Sequence, residues 1–246
     1  MVKPKVAFFG MTSCKGCYFQ LLLANEKLPA IFERLDITDF WMLNEKPSGE
    51  DYDIAIIDGA VSNHENAELV REVRKKARYV IAYGSCACLG GIPALRNPGE
   101  KQHNAYHKMV YGKDIAIKSY PHAEPVHKHI HVDYMMFGCP VNENEVVRVI
   151  TDLLLGKVPK EPDYPVCVEC KKNGTTCLFK KGEVCLGPVT RGGCGAPCPA
   201  IGTPCDGCRG PSPDANMDEM REIMKSHGMK KRETELMLTK YTGGDS

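Results

Sequence analysis

The chain has 246 residues, of which 43% are apolar, and a formal net charge of +1 at pH 7. This length allows one large domain or two smaller ones, and the near-neutral charge gives no electrostatic basis for binding nucleic acid. No apolar run approaches the roughly 18–20 residues of a membrane span. The first residues contain no apolar stretch of the secretory type, so we expect a cytoplasmic protein, in which cysteines are more often ligands than disulfides.

The first 158 residues alternate between strand-like and helix-like segments. We predict strands at 5–10, 37–43, 53–58, 79–83 and 132–137. We predict helices at 18–34 with a bend at Pro29, at 65–78 with Asn63 or Ser62 as the N-cap, and at 141–155 with an end at Gly156. Strands that alternate with helices indicate an α/β fold with a doubly wound parallel sheet of the flavodoxin-like kind.

Cysteine and acidic residues stand where several of these strands end. They are Cys14 and Cys17 after the first strand, Asp58 at the end of the third, Cys86 and Cys88 after the fourth, and Cys139 after the fifth. The carboxyl ends of parallel strands share one edge of the sheet, where ligands bind. We therefore expect these residues to meet around a single cofactor. The chain has no glycine-rich nucleotide fingerprint, which argues against a nucleotide there.

Residues 160–213 are rich in proline, glycine and cysteine and have little apolar periodicity. Their eight cysteines form two groups of four, namely Cys167, Cys170, Cys177 and Cys185, then Cys194, Cys198, Cys205 and Cys208. Each group suits one iron–sulfur cluster or one structural zinc ion. We predict a flavodoxin-like domain over 1–158 and a cysteine-rich domain, held together by its bound metals, over 159–246. The charged helical tail after Asp214 either caps the cysteine-rich layer or docks a partner.

Three motifs in this order resemble the small subunit of nickel–iron hydrogenases, a group related to one subunit of respiratory complex I. They are Ser13-Cys14-x-Gly16-Cys17, Gly84-Ser85-Cys86-Ala87-x-x-Gly90-Gly91 and Gly138-Cys139-Pro140. Segments 165–170, 185–194 and 205–208 resemble the cytosolic members of this family, of the sulfhydrogenase, viologen-reducing and deazaflavin-reducing types. The resemblance extends over about residues 5–210.

The resemblance implies three 4Fe-4S clusters. Cys14, Cys17, Cys86 and Cys139 match the ligands of the proximal cluster, Cys194, Cys198, Cys205 and Cys208 those of the medial cluster, and Cys167, Cys170, Cys177 and Cys185 those of the distal cluster. Periplasmic relatives have His in place of Cys167, and many relatives have Pro in place of Cys198 and hold a three-iron medial cluster. Asp58 matches an acidic position beside the proximal cluster and is either a supporting residue or a ligand. We interpret Cys88 as a buried free thiol.

The resemblance also implies an oxidoreductase subunit that transfers electrons without activating hydrogen itself, because the nickel ligands of the family lie in a separate large subunit. Its partners would be that large subunit and flavin or iron–sulfur subunits that reduce an acceptor. Two alternatives remain open. One is a subunit of a complex I-like or hydrogenase-derived redox complex without hydrogen chemistry, and the other is a zinc-stapled interaction module.

Overall fold

The computed structural model describes residues 3–23, 29, 32–41, 48–99, 108–112 and 119–243. Its central sheet has five parallel strands, which are β1 (Lys5–Gly10), β2 (Asp36–Phe40), β3 (Tyr52–Asp58), β5 (Ala77–Tyr83) and β7 (Tyr134–Met136). Their spatial order is β2-β1-β3-β5-β7, the doubly wound flavodoxin-like order. A separate antiparallel pair, β4 (Val61–Asn63) and β6 (Ser119–Glu124), was not predicted.

Helices cover both faces of the sheet. Val6 and Phe8 of β1 pack on one face beneath α1 (Gly16–Leu23) and α4 (Glu143–Leu154). Ala7 and Phe9 pack on the other face beneath α2 (His64–Lys76) and α3 (Ser85–Leu89). Burial on both faces explains why the strands read as continuous apolar runs in the sequence.

Most predicted boundaries agree with the structure to within a few residues. Asn63 is the N-cap of α2, since its side chain accepts the N–H of Asn66 at 2.7 Å. The fifth strand is shorter than predicted. The first part of the helix predicted over 18–34 is observed as α1, whereas residues 33–34 at its predicted end form a turn. Residues 24–28 and 30–31 of this prediction, like residues 42–43 of the second predicted strand, lie outside the described ranges.

The cysteine-rich half consists of short elements around small apolar clusters. Its helices are α5 (Val166–Lys172), α6 (Pro197–Ala200), α7 (Met217–Ser226) and α8 (Lys231–Thr239). Met220 and Met224 of α7 and Leu238 of α8 pack against Leu186 and Val189 of the cysteine-rich layer. The tail therefore caps this layer, in agreement with the first of the two predicted roles. None of the described helices is both long and apolar enough to cross a bilayer.

Candidate metal centres

All thirteen cysteines are described, and none forms a disulfide. In the described ranges, no three His, Cys, Asp or Glu side chains converge as the ligands of one metal ion. A cluster of several irons spaces its thiolates more widely than a single ion does, because each thiolate binds a different iron.

The first group lies at the carboxyl ends of β1, β5 and β7. Burial, together with the smaller effects of the nearby Asp58, Cys139 and Cys14, raises the pKa of the Cys86 thiol to about 12. Burial also raises the pKa of Cys17, with added contributions from Asp58, Cys86 and Cys139. The four cysteines thus lie close enough to influence one another, at the sheet edge where the topology predicted them.

Two glycines bring the backbone against this group. A Cβ at Gly84, where φ is +87°, would lie 2.6 Å from the Sγ of Cys17. A Cβ at Gly91, where φ is +55°, would lie 2.9 Å from the Sγ of Cys86. Both positions adopt a backbone conformation that favours glycine, and both keep the space beside a sulfur free. Glycine therefore lets the backbone approach these sulfurs more closely than any residue with a Cβ could.

Asp58 has partners of its own at this edge. Its carboxylate is buried, accepts a hydrogen bond from the hydroxyl of Ser13 at 2.6 Å, and lies 3.8 Å from the ammonium of Lys15. Burial raises the pKa of Asp58, although the Ser13 hydroxyl and the Lys15 charge act in the opposite direction. The Lys15 ammonium also lies 4.6 Å from the ring centroid of Trp41. These contacts favour a supporting role for Asp58 over ligation.

Cys88 faces the core instead of the first group. It is two residues from Cys86 on α3, so the helical rotation of about 100° per residue turns the two side chains to opposite sides. Its thiol is fully buried among apolar residues and donates to the carbonyls of Ala82 at 3.4 Å and Met136 at 3.6 Å. The geometry agrees with the interpretation as a buried free thiol.

The second group lines a cavity of about 590 Å³. All four of its cysteines, Cys194, Cys198, Cys205 and Cys208, contribute to the lining. Burial raises the pKa of Cys194 to about 11 and that of Cys205 to about 12. Burial likewise raises the pKa of Cys208, while the backbone amide of Cys139 from the first group acts against this shift. The cavity is large enough, and has the soft donors, for an iron–sulfur cluster.

The third group gathers around α5 and the loop that follows it. Cys167 and Cys170 are three residues apart on α5 and so share one face. Burial raises the pKa of Cys167 to about 11, with added contributions from Cys185, Cys170 and Cys177. A Cβ at Gly187 would lie 3.3 Å from the Sγ of Cys167 and 3.5 Å from that of Cys185. As in the first group, a glycine stands beside the sulfurs.

The three groups adjoin one another in series. Cys139 of the first group lines the same cavity as the four cysteines of the second group. The N–H of Cys205 donates to the Sγ of Cys185 at 3.2 Å, which links the second group to the third. The spatial order is thus first, second, third, although the third group precedes the second in the sequence.

The residues that connect the backbone segments around the cysteine groups were not predicted. They are Ser85, Glu145, Glu169 and Arg209. Ser85 and Arg209 each lie next to a cysteine in the sequence. This adjacency is the feature from which their importance could have been predicted. Arg209 pairs with Glu145, which is 64 residues away, so no local pattern in the sequence indicates this contact.

Comparison with known proteins gives a consistent result. The family model described as NADH ubiquinone oxidoreductase, 20 Kd subunit, matches residues 14–153. Sulfhydrogenase 2 subunit delta of Pyrococcus furiosus is 40% identical, with 90% of this chain and 92% of the relative covered. The iron-sulfur subunit of the F420-non-reducing hydrogenase of Archaeoglobus profundus is 29% identical, with 89% of this chain and 86% of the relative covered.

A solved structure supports the same assignment. A chain of the NAD+-reducing [NiFe]-hydrogenase in its H2-reduced state superposes with a TM-score of 0.56 at 31% identity, and covers 65% of this chain and 96% of its own length. Fold, cysteine groups and relatives define an iron–sulfur small subunit of the nickel–iron hydrogenase class. The chain belongs to the family of the NADH ubiquinone oxidoreductase 20 Kd subunit. The predicted resemblance and the predicted function, electron transfer within a hydrogenase, are confirmed.

Proposed function

We propose that the chain carries electrons through three 4Fe-4S clusters, one in each cysteine group, to or from the nickel–iron site of a large subunit. The first group would hold the cluster nearest that site, the second group the medial cluster and the third group the distal cluster. The observation that carries this proposal is the serial arrangement of the groups. Cys139 of the first group lines the cavity of the second group, and the N–H of Cys205 in the second group donates to the Sγ of Cys185 in the third.

The residues of the chain would bind the clusters as thiolates and shield them from water. Each bound cluster supplies reversible one-electron chemistry. Because burial raises the pKa of Cys17, Cys86, Cys167, Cys194 and Cys205, these thiols carry protons near neutral pH before loading. Loading would therefore release protons and leave thiolate bound to iron.

The partners beyond the large subunit would be flavin or iron–sulfur subunits that reduce an acceptor, in a cytoplasmic complex. The relatives named above include a sulfhydrogenase and an NAD+-reducing enzyme, so the acceptor differs within the family. We therefore assign the choice of acceptor to those other subunits. We also propose the division into domains 1–158 and 159–246, with the first group in the first domain.

Metal analysis of anaerobically reconstituted protein tests this function. Three 4Fe-4S clusters require about twelve irons and as many sulfides per chain, and they colour the protein. A colourless preparation with stoichiometric zinc would favour the zinc-stapled module instead. A complex with full iron content but no hydrogen-dependent dye reduction would favour the complex I-like alternative.

The variant Cys17→Ser extends the test to the assembled complex. We expect it to abolish hydrogen-dependent dye reduction and to leave hydrogen–deuterium exchange partly active, because exchange needs no exported electron. Co-elution of the large subunit has to be verified first, since a lost cluster can block assembly. Dye reduction near the wild-type level would contradict the assignment of the first group.

A further inference from the structure

The buried hydroxyl of Ser85 joins three backbone segments. Ser85 is 2% exposed and begins α3 directly after β5. Its Oγ accepts the N–H of Gly138 at 3.1 Å and donates to the carbonyl of Cys208. Its own N–H donates to the carbonyl of Gly138 at 2.9 Å. A hydroxyl has one proton to donate, and the hydroxyl of Ser85 donates it to the carbonyl of Cys208.

Each of these segments carries a candidate cluster ligand. Ser85 precedes Cys86 and Gly138 precedes Cys139, both in the first group, whereas Cys208 belongs to the second group. The backbone that holds two ligands of one group is therefore hydrogen-bonded to the backbone that holds a ligand of the next. Ser85 and Cys208 are 123 residues apart in the sequence, so the contact is purely tertiary.

Arg209 reinforces the same junction from the other side. Its guanidinium is 1% exposed and forms hydrogen bonds with the carboxylate of Glu145 at 2.7 and 3.1 Å. It also donates to the carbonyls of Phe137 and of Gly192, the latter at 2.7 Å. A buried charge is tolerated only when it is paired and hydrogen-bonded in this way. Consecutive residues, Cys208 and Arg209, are thus held against the segment that leads into Cys139.

We propose that Ser85 is a positioning residue for electron transfer, because it holds Cys208 of the second group against the ligand segments of the first group. This inference rests on the proposed function. In this step one electron would leave a cluster held by the first group, which would be oxidised, and the same electron would reduce a cluster held by the second group. No bond would be made or broken and no proton would be required. Tunnelling falls steeply with separation, so a small displacement of Cys208 slows this step.

Replacement of Ser85 by alanine removes the contact at little cost in volume. Ser85→Ala leaves the N–H of Gly138 and the carbonyl of Cys208 without this partner in a buried site. Ser85→Thr keeps the hydroxyl and is the conservative variant. Ser226→Ala is the matched control, since the exposed hydroxyl of Ser226 contacts the carbonyl of Ile223 and the ring of His227 at the end of its own helix, far from the cysteine groups in the sequence.

The experiment uses the assembled complex with its large subunit. Iron and sulfide content is measured first, then the potential of each cluster and the magnetic interaction between the first two clusters by paramagnetic resonance, and then the intramolecular electron-transfer rate after flash reduction. We expect Ser85→Ala to keep its iron, to show a weakened or altered magnetic interaction, and to transfer electrons several-fold more slowly. Ser85→Thr and Ser226→Ala should match the wild type.

Two results would overturn the inference. A wild-type rate and magnetic spectrum in Ser85→Ala would show that the hydrogen bond from Ser85 to Cys208 does not determine how the second group lies against the first. Loss of iron in Ser85→Ala would assign Ser85 to cluster assembly instead of electron transfer. A wild-type complex without clusters at the first two groups would instead refute the proposed function, and the iron analysis of the wild type separates this failure from the other two.

Discussion

The backbone N–H of Cys205 donates a hydrogen bond to the Sγ of Cys185 at 3.2 Å. Cys205 belongs to the second cysteine group and Cys185 to the third, and both are buried. A hydrogen bond to a ligand sulfur stabilises the thiolate and tunes the potential of the cluster that it binds. The two groups are therefore electrostatically connected as well as adjacent.

This contact predicts unequal effects for two ligands of the third group. Cys185→Ser and Cys177→Ser should both disrupt the distal cluster. The Cys205 amide donates to Cys185, so Cys185→Ser also changes this hydrogen bond with the second group. Cys177 is exposed and has no such contact with the second group. We expect a shifted resonance spectrum of the medial cluster in Cys185→Ser and an unchanged one in Cys177→Ser. Identical medial spectra in the two variants would contradict the proposed connection.

Glu169 should stabilise the loop around Cys194. Its carboxylate accepts the N–H groups of Gly193 at 2.8 Å and Gly195 at 2.9 Å, on either side of that cysteine. Glu169→Ala removes both acceptors, and we expect a loss of about 1 kcal/mol, because the part-buried N–H of Gly193 loses its partner and water can reach that of Gly195. The thermal midpoint of the cluster-loaded protein should fall by about 2–4 °C. Glu222→Ala on the exposed face of α7 is the control, and an equal shift there would remove the support for this role.

Asp58→Asn tests whether Asp58 is a ligand. The Ser13 hydroxyl can still donate to the amide oxygen, but the charge that faces Lys15 is lost. We expect the full iron content, together with a changed potential of the proximal cluster because a negative charge has been removed beside it. Loss of about four irons, the content of one cluster, would show instead that the carboxylate binds iron.

Cys198→Pro should convert the medial cluster to a three-iron form. Cys198 is the second residue of the short helix α6, in the first turn, where a proline lacks only an N–H that needs no helical partner. The backbone should therefore accept the substitution while one thiolate is lost. Paramagnetic resonance of the oxidised protein should show a new three-iron signal. An unchanged spectrum would mean that Cys198 is not a ligand.

Removal of iron should affect the two halves of the chain differently. The sheet packs between two large apolar clusters, whereas one of the clusters of the cysteine-rich half includes Cys185 and Cys205 themselves. After chelation, we expect limited proteolysis to cut within 160–213 first, while the fragment that contains the sheet survives longer. Fragments are identified by mass spectrometry, and the loaded protein is the control. Equal resistance of both halves would contradict this expectation.

The sequence by itself determined the sheet and the grouping of the cysteines. Continuous apolar strands that alternate with helices leave few arrangements other than a parallel sheet, and the strand ends of such a sheet share one edge. The positions of Cys14, Cys17, Cys86 and Cys139 at one site follow from that rule. The N-cap at Asn63 could also be predicted from the sequence, because a cap is a local interaction.

The family resemblance implied the order in which the groups follow one another, but the contacts that produce this order are visible only in the tertiary structure. The third group comes before the second in the chain but lies beyond it in space, through the contact of Cys205 with Cys185. The contacts of Ser85 with Cys208 and of Arg209 with Glu145 span 123 and 64 residues. Such pairs leave no periodic or local signal, because single polar side chains find distant partners only when the packed elements bring them together. The orientation of Cys88 was decided in the same way, by the side of α3 that faces the core.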